Sequence, residues 1–157
     1  MNKWFYLNIL VLILAIWQGI KDSPTFLSLP IIFGIVGLLA ILLNWNMHSL
    51  FSEIRREKKR ERKIKIAKIA RKIMPYHMTI GLMALLLITI HVSLIFTEYA
   101  FNWQHTKMVS GLLALLALFA QVISGWMRRR RATGKRRRVH LRLGFVLFFS
   151  IVVHILL

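Results

Sequence analysis

An all-α membrane bundle of five transmembrane helices is the fold class this sequence predicts, and three observations predict it. Of the 157 residues, 57% are hydrophobic, well above an ordinary soluble domain. Five long apolar runs break the chain at short polar loops, and a helix crossing ~30 Å of hydrocarbon needs ~20 such residues. The 23 lysines and arginines, set against five acids, gather in two blocks outside those runs.

The first run, about Trp4–Ile20, follows Lys3. A signal peptide would look similar, but "AIWQGIKD" lacks a small-residue cleavage pattern, so a helix is expected. A polar turn, "KDSPTFLS" with Pro24, leads into the second run, Phe26–Phe51. Residues 53–74 form a basic segment in which Ile66, Ile69 and Ile73 recur at three- and four-residue steps. That periodicity predicts an amphipathic helix lying along the inner membrane surface. Pro75 is expected to open the third helix, Pro75–Thr97, since a missing N–H costs little in a first turn. The fourth and fifth are expected at Met108–Met127 and Val139–Leu157. Residues 1–52 thus form a two-helix N-terminal part and 75–157 a three-helix core. Trp4, Trp17, Trp45, Trp103 and Trp126 fall near helix ends, as interface anchors do.

Charge placement sets the orientation. Eleven basic residues lie between Phe51 and Pro75 and eight in "RRRRATGKRRR", whereas the other two loops carry Lys21 and Lys107 alone. Short loops rich in Lys and Arg stay cytoplasmic. The expected protein is a multi-pass cell-membrane protein with its N-terminus inside and its C-terminus outside. The basic blocks act as topology anchors that attract anionic lipids, and nucleic-acid binding is not expected. Without cysteine there are no disulfides and no thiolate metal sites.

The informative chemistry is a repeat. His77, Gly81 and His91 in the third helix have the same spacing as His140, Gly144 and His154 in the fifth, with fourteen residues between histidines. Fourteen residues rise about 21 Å and return to within about 40° of the same helix face. Two histidines of one helix therefore cannot share an ion, but each can meet a partner at its own depth. On parallel helices His77 pairs with His140 near the inside, and His91 with His154 near the outside. Two imidazoles at each of two levels suit two haems held between helices three and five, each with bis-histidine iron. His77, His140, His91 and His154 are then the metal ligands. Gly81 and Gly144, one turn past the inner histidines, would clear space for a porphyrin or simply allow close helix packing. Gly111 and Gly125, also fourteen apart, echo this in the fourth helix. Arg142 is the expected propionate partner, with Arg138, Arg71 and Lys72 nearby; snorkelling to lipid phosphates is its other reading. His48 and His105 are expected at the interface, where either could line a quinone site.

With "HMTIG", "HLRLG" and "GLLALLALFAQVISGWMRRRR", the paired histidines make the chain from Pro75 to Leu157 resemble small bacterial di-haem membrane cytochromes b, including ferric-reductase-like and flavinylation-associated types. The resemblance implies two non-covalent haem b groups and electron transfer across the membrane, as a conduit or as the membrane subunit of an oxidoreductase. No Gly-rich phosphate loop occurs, so the donor-oxidising domain is expected on another protein, a flavoprotein, with quinone as another possible redox partner. The competing expectation is a haem-free membrane scaffold recruiting partners or anionic lipids through its basic loops. A cation transporter is disfavoured, because no acid falls mid-helix.

Overall fold

The computed structural model describes residues 3–22 and 28–157, and within them the chain is five helices. These are α1 (Lys3–Asp22), α2 (Leu29–Arg56), α3 (Arg60–Glu98), α4 (Thr106–Arg130) and α5 (Gly134–Leu156). Each is long and apolar enough to cross a membrane. The expected turn around Pro24 lies outside the described residues.

Successive helices run antiparallel, and packing is densest within the α2–α3 and α4–α5 hairpins. One core cluster joins Val11, Leu38, Leu42, Phe148 and Ile155 from α1, α2 and α5. A second joins Ile41, Ala84, Leu118 and Leu147 from α2 to α5. Elsewhere the helices turn leucines, valines and phenylalanines such as Leu113, Leu116, Val146 and Phe149 outward. In lipid those faces need no cover, so small residues and polar contacts must do much of the joining. Gly37 brings α2 close to Ile88 and Leu87 of α3, and Asn8 and Asn46 share a 2.8 Å hydrogen bond between α1 and α2.

Two expectations change. Pro75 lies inside α3, which runs unbroken for 39 residues. Its ring removes one backbone donor but leaves the rest of the turn intact, and dense packing against α2 keeps the helix continuous across it. The basic stretch is therefore the first part of α3 rather than a separate surface helix. Two of the five tryptophans also turn inward. Trp4 and Trp45 pack with His48, Phe145 and Phe148, with Trp45 stacked on His48 at 5.1 Å. Trp17 and Trp103 remain exposed, and Trp126 carries Arg130 over its ring at 3.8 Å.

Between α2 and α3 the chain reverses over residues 57–59. Glu57 accepts a 2.9 Å bond from the Lys59 N–H and pairs with Arg62. The Lys59 amide is the larger of the influences that hold this carboxyl below its usual range, with Arg62 adding to it. One carboxylate thus pins a tight turn between two basic strands of sequence.

Candidate cofactor-binding site

The histidine-bearing helices α3 and α5 are separated by α4 in sequence but face one another across the bundle interior. His77 and His140 meet with ring centroids 6.2 Å apart at 78°. His91 and His154, one fourteen-residue step further along, are close enough to interact electrostatically. The two helices therefore run in the same direction, and both pairs sit at matching depth.

The neighbouring helices hold these rings by a recurring device. The Nδ1–H of His91 donates to the Pro30 carbonyl at 2.7 Å, and the ring lies against Gly34, four residues later. The Nδ1–H of His154 is shared between the Lys107 carbonyl at 3.1 Å and Ser110 Oγ at 3.2 Å, with the ring against Gly111. Nδ1 of His140 lies 2.9 Å from Ser124 Oγ, and the ring rests on Gly125. Ser124 already donates its proton to the Gln121 carbonyl at 2.7 Å, so at His140 its oxygen must accept. In each case glycine removes the Cβ that would screen a carbonyl one turn back. An added Cβ at Gly111 would stand 2.8 Å from His154 Cε1, and at Gly34 3.0 Å from His91 Nδ1.

The consequence is chemical. Three imidazoles carry their proton on Nδ1, which leaves the Nε2 lone pair as the acceptor: open for a metal at His91 and His154, and facing the Gln121 amide at His140. Backbone or hydroxyl partners on Nδ1 are what orient histidine ligands in metal sites.

His77 is the exception. Its Nδ1 is buried without a hydrogen-bond partner. The helix register explains why. Gly111 and Gly125 on α4 meet His154 and His140 of α5; on α2 the matching positions are Gly34, which meets His91, and His48. A histidine stands where the fourth glycine seat would be. The hairpins match in another detail too. Gly81 admits Asn44 of α2, and Gly144 admits Gln121 of α4, each amide nitrogen just over 3 Å from an added Cβ. The two glycines expected to clear a porphyrin thus give space to amide side chains, and Gly144 to Trp45 as well. Asn44 donates to the His77 carbonyl at 3.0 Å, and Gln121 Nε2 lies 3.4 Å from His140 Nε2.

Arg142 is exposed on α5. The arginine that acts on the His77–His140 pair is Arg128, half-buried at the end of α4. Nothing in "RRRR" singles it out by sequence; helical phase does. His48 lies in the aromatic cluster, and exposed His105 caps the start of α4 with its carbonyl.

The ring separation of the inner pair matches that of two imidazoles sharing one metal ion. Metal–imidazole bonds of ~2 Å, with roughly 1 Å more to each ring centre, put two coaxial ligand rings about 6 Å apart, and His77 and His140 stand at 6.2 Å. The unpartnered nitrogen of His77 marks a buried polar group with unmet bonding capacity.

The fold defines the class: an all-α, multi-pass membrane bundle. No protein-family model matches the chain, and no curated protein or solved structure matches it.

Proposed function

We propose that this protein is a membrane di-haem b-type cytochrome that passes electrons across the bilayer, as a conduit or as the membrane subunit of an oxidoreductase. The observation that carries the reading is the pair of facing histidine levels, with three of four imidazoles fixed as Nδ1–H tautomers by a neighbouring helix. His77 and His140 would hold one haem, His91 and His154 the other. Bound in this way, haem supplies one-electron exchange at iron.

The chain's own residues supply the rest. Pro30, Lys107 and Ser124 orient the ligands through hydrogen bonds, and Gly34, Gly111 and Gly125 give the rings access to them. Arg128 offers positive charge beside the His77–His140 level, suited to a propionate. The two levels, about 21 Å apart along the helices, divide the low-dielectric crossing into steps. The basic end faces the cytoplasm in this reading, in a cell membrane. The donor, a separate flavoprotein or a quinol, meets the protein from outside its own chain.

The test is a reduced-minus-oxidised visible spectrum of purified protein with extracted haem counted per chain. Low-spin b-type bands at two haems per chain support the proposal. A colourless, folded protein from haem-replete cells overturns it and leaves a scaffold acting through its basic end. Single His→Ala variants at 77, 91, 140 and 154 should each remove one haem.

A further inference from the structure

The basic hairpin extends well past the rest of the bundle. The register of His77 with His140 puts the start of α5, Gly134, level with Arg71 of α3. The aromatic contacts of Trp4 with Trp45 and His48 put the start of α1 near the same depth. Among the described residues, residues 55–56 of α2, the 57–59 turn and residues 60–70 of α3 stand beyond it, with the 131–133 turn at its margin. Those eleven residues of α3 add about 16 Å. A headgroup layer is roughly 5–7 Å deep. With the prong along the membrane normal, that length carries the tip into water, beyond contact with lipid phosphates.

The composition of this prong is not that of a merely solvated tip. Between 51 and 70 there are nine lysines and arginines against three glutamates. Glu57–Arg62 is the ion pair there among the described residues. Ile66, Ala67 and Ala70 are half-buried to buried, covered by α2, the one helix beside them. Ile64 and Ile69, 45% and 51% exposed, face away among the bases. Bases crowded on two adjacent helices repel one another and weaken the hairpin. At 100° per residue the two isoleucines stand about 140° apart, one on each flank of the α2-facing stripe, with Lys65 and Lys68 between them on the outward face.

We propose that the prong is the docking surface for an acidic, water-soluble protein, with the outward bases steering and holding it and Ile64 and Ile69 as apolar contacts on either flank. Haem ligation is not needed for this, so the two proposals stand or fall separately. A second copy of the chain would bring the same positive charge and does not fit.

The experiment uses the full chain in phosphatidylcholine nanodiscs, with labelled poly-L-glutamate standing in for an acidic protein surface. Reversing Lys58, Lys63 and Lys65 to Glu should weaken binding by about tenfold or more, whereas reversing Arg129, Lys135 and Arg137 of the α4–α5 loop should cost less than about threefold. Equal losses, or the opposite ranking, overturn the proposal. So does duplex DNA that the prong holds at physiological salt when polyglutamate is not held. A polarity-sensitive dye on Ile64→Cys, the chain having no cysteine of its own, should keep a water-like emission as phosphatidylglycerol is added. A blue shift would show the prong lying on lipid and overturn the proposal as well.

Discussion

A glycine four residues after a carbonyl on the neighbouring helix decides whether a histidine here has a seat. At Gly111 the His154 ring occupies the space a side chain would take. Gly111→Val should displace that ring and break its bonds to Lys107 and Ser110. Losing a partner of this kind typically costs 10–100-fold in metal affinity. If the proposed two haems are bound, the expected outcome is one haem per chain in place of two, with the His77–His140 bands retained. Position 48 offers the converse. His48→Gly would open the Asn44 carbonyl to the orphan Nδ1 of His77, and haem at that level should be lost to an acceptor protein up to ~10-fold more slowly. The facing of the histidines was legible in the sequence because a fourteen-residue spacing has a direct geometric meaning. Their seats were not, because a carbonyl acceptor is backbone and leaves no residue type to read. Only the pairing of α2 with α3 and α4 with α5 shows that Gly34, Gly111 and Gly125 do one job and that His48 takes the fourth place.

At the scale of elements, all five helices follow from hydropathy; basic residues extend α2, α4 and α5 a few residues past the apolar runs, and α3 begins fifteen residues before Pro75. Pro75 misled for a physical reason. Its ring fits a first turn best, yet α2 alongside keeps the helix continuous when one donor is lost. Arg128 shows the same limit, since four adjacent arginines differ only in the direction helical phase gives them. Between α1 and α2, Asn8 and Asn46 share a hydrogen bond that joins the two helices. Asn46→Ala should lower the unfolding free energy in detergent by ~0.6 kcal/mol and by no more than about 1.7. Haem content should be unchanged, because the Asn46 side chain turns to Asn8 of α1 and not to the histidines of α3 and α5.

For the whole molecule, the basic turns 57–59 and 131–133 lie at one end and the 99–105 connection at the other. The absence of cysteine makes this simple to map. Lys59→Cys should react with an impermeant thiol reagent only in inverted vesicles, and Gln104→Cys only in intact cells. The reverse pattern would turn the protein over in the membrane.

The division into two like hairpins has a consequence for assembly. Each hairpin packs well within itself, and the seam between α3 and α4 is the sparser contact. Each facing histidine pair takes one ring from either side of that seam. A ligand that bonds both rings would therefore act as a clasp, drawing together halves that the lipid alone leaves loosely joined. Amide hydrogen exchange along the seam should slow when the clasp is fastened and quicken when it is removed.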